Sequence, residues 1–266
     1  MKKLMLIGMF IVLFSSMACG ADCVRITATG NAEYPPILWR DKAEPQKLVG
    51  VSIELLQQAF GDLGITVEGK YVGNWARAQS TARDGSVDML AGAFITEERK
   101  TYMDYVTPPF MMTPSVIFVM KGQAFPFSSW EDLVGLKGGT LINNSFGEKF
   151  DRFAAEKLSI EGVASIEQAF RKMAAGRNRY VVYERYQGLA ISEVTGFRDK
   201  IEYLPNSVIN EGLYFTFSKK STCNTPDLRA HLARKVRKFT EQKLPDVLVG
   251  KYLKIWKAQH SPSASR

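Results

Sequence analysis

Thr96-Glu97-Glu98-Arg99 is the segment whose residue types and spacing come closest to chemistry. Thr96 suits the N-cap of a helix, and Glu97 and Glu98 suit the positive end of its first turn. Arg99 does not suit it, because a cation in the first turn opposes the macrodipole. An arginine there is best explained by an anion that needs a planar, two-pronged donor, as a carboxylate does. The spacing therefore predicts capture of a small anionic ligand. Catalytic patterns are missing: there is no GxSxG elbow, HExxH, Walker loop or dinucleotide fingerprint, and Gly138-Gly139 reads as a turn. His231 and His260 lie far apart, with no carboxylate or cysteine pattern beside them, so neither a metal nor a cofactor is expected. Glu97-Glu98 reads as a pair of capping charges rather than a separated acid and base.

Positioning such an arginine needs a scaffold, and the apolar pattern supplies one. Val24 to Thr29 predicts a strand, and Ser52 to Phe60, stopped by Gly61, an amphipathic helix. Ile65 to Tyr71 predicts a second strand, Trp75 opens a helix, and Met89 to Phe94 predicts a third strand. Ser115 to Met120 follows the stiff Thr107-Pro108-Pro109 exit as another strand. A second series begins beyond it: a strand at Thr140 to Asn143, a helix at Ser145 to Leu158, a capping box at Ser165 to Gln168, and a buried-type strand at Tyr180 to Tyr183. Leu213 to Phe217 returns as a strand, and Thr225-Pro226 opens a final helical region. This βα alternation predicts an α/β fold with mainly parallel sheets. The second series is inserted into the first. That predicts two lobes, 22–112 with 212–260 and 113–211, joined by two crossings near 111–115 and 208–212. A ligand would bind in the cleft between them.

The chain has 266 residues and a formal charge of +8. Lys2 and Lys3, an apolar run from Leu4 to Phe14 and Ser16-Met17-Ala18 predict an export signal over 1–21, cut after Ala18 or Ala21. Acylation of Cys19 is the weaker alternative, since Ser16 stands where a leucine-like residue is usual. Removing two lysines and no acid lowers the charge to +6, which is modest and dispersed. The basic run Arg229 to Lys238 lies opposite an apolar stripe of Leu228, Leu232, Val236 and Phe239, so it reads as a solvated helix face rather than a nucleic-acid surface. In an oxidising compartment Cys23 and Cys223 are expected to pair, tying the start of the chain to its C-terminal part. Residues 261–266 read as a frayed tail.

These signatures together resemble the periplasmic solute-binding proteins of the amino-acid family, the type II, family 3 binding proteins of ABC uptake systems. The resemblance rests on Tyr34-Pro35-Pro36, Gly50-Val51-Ser52-Ile53-Glu54-Leu55-Leu56, Trp75, Gly85-Ser86-Val87-Asp88-Met89, Thr96 to Arg99, and Tyr105-Val106-Thr107-Pro108-Pro109-Phe110. Ala175-Gly176-Arg177 followed by Tyr180 to Glu184 resembles the family's strand in the second lobe. The fold so implied is a two-lobed, periplasmic-binding-protein-like type II fold, each lobe a mainly parallel sheet flanked by helices. The resemblance places Arg99 on a ligand α-carboxylate and Glu184 where the family usually has an aspartate for the α-ammonium. Tyr34 and Trp75 match stacking positions, Asn31 a polar contact of the first lobe, and Asn143, Asn144 and Ser145 the loop of the second. Gly92-Ala93-Phe94 departs from the polar lead-in usual before the Thr-x-x-Arg and adds the Phe94 ring, and Arg179 replaces an aspartate.

What the resemblance implies is an exported periplasmic binding protein, monomeric and without catalysis. It would close by a hinge on an amino acid or small carboxylate and pass it to a membrane permease or sensor. The alternatives are a ligand sensor, and an enzyme on the same fold such as a dehydratase of a cyclic carboxylate with Glu184 as general acid.

Overall fold

The computed structural model describes residues 23–260. The predicted export signal, its cleavage sites, Cys19 and the tail 261–266 lie outside that range. The chain opens with strand β1 (Arg25–Thr29), whose Ile26 and Ala28 are fully buried. Three short strands follow, β2 (Glu33–Tyr34), β3 (Leu38–Arg40) and β4 (Leu48–Val49), and they form a separate small antiparallel sheet. Helix α1 (Val51–Gly61) then buries Val51, Ile53, Leu55, Leu56, Ala59 and Phe60. The Val, Ile, Leu and Phe side chains contribute about 1.5–3 kcal/mol each when fully buried. Its N-cap is Gly50 at φ 138°, where a Cβ would sit 2.3 Å from the Ile37 carbonyl oxygen, so no other residue fits.

Strand β5 (Thr66–Gly69), helix α2 (Trp75–Asp84) and strand β6 (Met89–Ala93) complete the first βα series. Asn74 caps α2 by accepting from the Arg77 amide at 3.0 Å, and Gly85 closes it in the left-handed region. Helix α3 (Glu97–Lys100) is a single turn, with strand β7 (Met103–Tyr105) after it. That shortness corrects the electrostatic premise drawn from the sequence. In a four-residue helix Arg99 belongs to the last turn as much as the first, so the macrodipole does not oppose it. What sets Arg99 apart is burial: only 4% of it is exposed.

Strand β8 (Met111–Met120) leaves this region and a short 3-10 turn (Trp130–Leu133) leads to strand β9 (Lys137–Leu141). Helix α4 (Glu148–Lys157), strand β10 (Ser159–Val163), helix α5 (Ile166–Ala174), strand β11 (Tyr180–Glu184) and helix α6 (Arg185–Val194) build the second series. Strand β12 (Ile201–Ser218) and helices α7 (Pro226–Glu241) and α8 (Leu244–His260) finish the described chain. Gly138-Gly139 is not the turn read from the sequence but the centre of β9. The Tyr180 ring and the Asn178 amide pack where Cβ atoms would project, at 2.5 and 2.4 Å.

The main sheet runs β10-β9-β11-β8-β12-β6-β1-β5, with β7 beside β12. Pairs β1/β5, β1/β6, β9/β10 and β9/β11 are parallel, as βα connections require. β12 is shared. Ile201 to Leu213 pairs antiparallel with β8, and Tyr214 to Ser218 pairs with β6 and β7. The fold is therefore two-lobed α/β, with β8 and β12 passing between the lobes. Along β8, Val116 and Phe118 join the larger buried cluster while Ile117 and Val119 join a second one with Phe150, Tyr180 and Val182. Strand periodicity divides these residues between the two faces of the sheet.

Cys23 and Cys223 form a disulfide, with an S–S distance of 2.06 Å and a sequence separation of 200. It fastens the start of β1 to the loop before α7. On α7, Leu232, Val236 and Phe239 are buried, and Lys235 beside them pairs with Asp62 at the end of α1. Among the described residues no helix is long and apolar enough to cross a membrane.

Candidate ligand-binding site

Asn31, Tyr34, Trp75, Phe94 and Arg99 from one lobe and Asn144 and Glu184 from the other line a single cavity, together with the apolar walls of Ile37, Leu38 and Leu213. Its volume is about 20 Å³, room for about one water molecule. A broad groove of about 880 Å³ adjoins it and shares Arg99 and Asn144 as lining.

Arg99 is positioned from several directions. Its backbone amide donates to Thr96 Oγ1 at 3.1 Å, the cap predicted from the sequence. The guanidinium donates through Nε to Gln79 Oε1 at 3.0 Å, through Nη1 to the Phe94 carbonyl at 3.1 Å and through Nη2 to the Asn143 carbonyl at 3.3 Å. It also lies 5.2 Å from the centre of the Trp75 ring, within cation–π range. Three of its five N–H groups donate to these acceptors.

Glu184 ends β11 and is 1% exposed. Asn144 Nδ2 donates to its Oε1 at 3.4 Å, and Oε2 has no hydrogen-bond partner. Burial raises its pKa from the usual 4.5 to about 7, against the opposing pull of its own backbone amide, Asn144 and the Arg99 charge. The Tyr34 hydroxyl and the Trp75 indole N–H are also buried without a partner. Burial beside the Glu184 charge holds the Tyr34 hydroxyl well above its usual pKa, so it stays protonated and able to donate. Such orphaned polar atoms cost stability unless something else satisfies them.

Asn31 is used differently. Its Nδ2 donates to the Tyr183 hydroxyl at 3.0 Å, its Oδ1 accepts from the Glu33 amide at 3.0 Å, and the Tyr183 hydroxyl donates to the Glu33 carbonyl at 3.1 Å. It braces the cavity wall and bridges the lobes. Two residues matched to the site by resemblance do not line the cavity. Asn143 has an exposed side chain and offers its backbone carbonyl to Arg99 instead. Ser145 is buried, but its hydroxyl donates to Asp151 and accepts from the Gly147 amide, which organises its own loop. Gln79 was not picked out from the sequence. The signal was its place one turn after Trp75, which puts both on one face of α2.

The two histidines have structural contacts. His231 Nε2 lies 2.7 Å from the Ala59 carbonyl and His260 stacks on Trp256 at 3.5 Å. Among the described residues no group of three or more His, Cys, Asp or Glu side chains stands close enough to hold a metal ion.

The sequence profile of the bacterial extracellular solute-binding proteins, family 3, matches residues 26–254. The chain belongs to this family. A curated relative is the probable ABC transporter extracellular-binding protein YckB of Bacillus subtilis (strain 168), 25% identical over 188 residues. That match covers 68% of this chain and 64% of the relative, so the chain spans less than two thirds of the relative's length. An amino acid ABC transporter substrate-binding protein from Streptococcus pneumoniae, solved bound to L-arginine, is similar in structure with a TM-score of 0.72. It is 16% identical, with 90% of this chain and 97% of that one covered. A histidine kinase sensor domain with similarity to periplasmic binding proteins has a TM-score of 0.71 at 22% identity, with 86% of this chain and 96% of that one covered. At these identities the structural likeness speaks for the fold. This family 3 protein therefore shares one scaffold with both transport and sensor proteins.

Proposed function

We propose that this family 3 protein is the exported capture component of an ABC-type uptake system, closing two lobes over an amino acid or similar small carboxylate. One observation carries the reading. A guanidinium from one lobe and a carboxylate with one unpartnered oxygen from the other line the same apolar-walled cavity. A zwitterion would meet both, its carboxylate on Arg99 and its ammonium on Glu184. Tyr34, Trp75 and Phe94 would wall the rest. Parting and closing of the lobes about β8 and β12 would admit the ligand and then exclude water, strengthening both charge-assisted contacts. The sequence over 1–21 fits export, and a permease would read the closed shape. Calorimetry of the mature protein against the common amino acids and small carboxylates tests this reading; no binding across that set would remove it.

One observation favours a second reading. Glu184 is buried in the cavity wall with Oε2 unpartnered, and a carboxyl whose pKa burial raises to about 7 can give a proton as well as hold a charge, which a dehydratase acting on a cyclic carboxylate would need. Ligand recovered unchanged after prolonged incubation would eliminate it.

A further inference from the structure

We infer that Gln79 is a positioning residue that couples the seating of the second lobe to the aim of Arg99. The inference rests on the carboxylate-binding role proposed for Arg99. Both faces of the Gln79 amide are committed. Oε1 accepts from Arg99 Nε at 3.0 Å, and Nε2 donates to the Asn143 carbonyl at 3.2 Å. This assignment of oxygen and nitrogen follows from chemistry: a guanidinium only donates and a carbonyl only accepts. The same carbonyl takes Arg99 Nη2 at 3.3 Å, which closes a ring of Gln79, Arg99 and Asn143.

Two of these groups belong to the first lobe and the carbonyl belongs to the second. With the lobes parted, Gln79 Nε2 and Arg99 Nη2 lose their shared acceptor, and the guanidinium keeps only the contacts made within its own lobe. Seating of the second lobe thus fixes the fork that grips the ligand. Asn143 is suited to supplying that carbonyl. Its backbone is left-handed at φ 56°, a conformation that Asn tolerates and β-branched residues do not. Its side chain is exposed, so the backbone shape is what matters.

Stopped-flow binding and small-angle scattering of the mature protein test the inference, with L-arginine, glycine and acetate as probes. Gln79→Leu keeps the bulk and removes both hydrogen bonds. It should raise the dissociation rate at least tenfold while changing the association rate by less than about twofold, since the lost contacts form after encounter. Asn143→Gly should behave as wild type, whereas Asn143→Val should follow Gln79→Leu. The inference is overturned if Gln79→Leu leaves dissociation unchanged while Arg99→Ala abolishes binding. If Arg99→Ala binds normally, or wild type binds none of the probes, the site reading itself fails. Scattering then decides the coupling alone: a larger radius of gyration in unliganded Gln79→Leu and Asn143→Val supports it, and unchanged radii overturn it.

Discussion

Asn144 donates to one oxygen of the Glu184 carboxylate at 3.4 Å, while the other oxygen, equally buried, meets no donor. A carboxylate so poorly solvated prefers its proton, which is why its pKa stands at about 7 rather than 4.5. The consequence for stability has a definite sign. A pKa raised on folding adds stability that is complete below the unfolded value of about 4.5 and is lost as the pH rises through about 7. For a shift of this size the loss is about 3–4 kcal/mol at the limit. Glu184→Gln removes it, so the variant should gain on wild type between pH 5 and pH 8 in urea unfolding without ligand. Other titrating groups are common to both proteins and cancel. An equal stability difference at the two pH values would mean the carboxyl titrates as an ordinary exposed one. The same variant should bind an amine-bearing ligand at least tenfold more weakly at pH 8.

Arg99 holds three acceptors, and a lysine cannot reach all of them or present a fork. Arg99→Lys should weaken a carboxylate ligand by about 10- to 100-fold, with a stability cost of about 1–3 kcal/mol from the acceptors left bare. Calorimetry and thermal unfolding read the two effects separately. Unaltered affinity with reduced stability would make Arg99 a purely structural cation.

The Tyr34 hydroxyl separates ligand binding from folding more cleanly, because it is buried with no partner. Tyr34→Phe removes a group that folding leaves unsatisfied, so stability should hold or rise by up to about 1 kcal/mol. If the hydroxyl exists for the ligand, affinity should fall by about fivefold or more in the same variant. A variant that loses stability and keeps affinity would show the hydroxyl serves the fold.

Much of this was legible in the sequence, for physical reasons. Strong apolar runs such as Tyr180 to Tyr183 and Met89 to Phe94 lie in fully packed strands, so pattern and structure coincide. The elements that escaped are those whose pattern is local noise. β2, β3 and β4 have two or three residues each, too few to show alternation. The first two thirds of β12 were hidden because Pro205, Asn206 and Ser207 are exposed at a register irregularity against β8. Arg99 and Glu184 could be marked by motif, although the dipole argument for Arg99 did not survive the single-turn helix. Gln79 could be placed on the Trp75 face of α2, but its partners could not be read from the sequence. Its role depends on a carbonyl 64 residues away, and only the folded chain brings the two together.

The disulfide takes no part in lining the cavity, and its effect should be confined to stability. Cys23 and Cys223 close a loop with a sequence separation of 200, so the bond removes much freedom from the unfolded chain. Bridges over long loops are worth about 2–5 kcal/mol. Its neighbours are β1 and α7, and neither cysteine lines the cavity. Reduction, or paired replacement by Cys23→Ser and Cys223→Ser, should therefore lower the unfolding midpoint markedly. Ligand affinity at 25 °C should change less than about twofold, because Arg99, Trp75 and Glu184 are held by contacts that do not pass through the bridge. Mass spectrometry of unreduced peptides identifies the bonded pair. A large loss of affinity in protein that is still folded would mean the bridge sets the shape of the cleft as well as its stability.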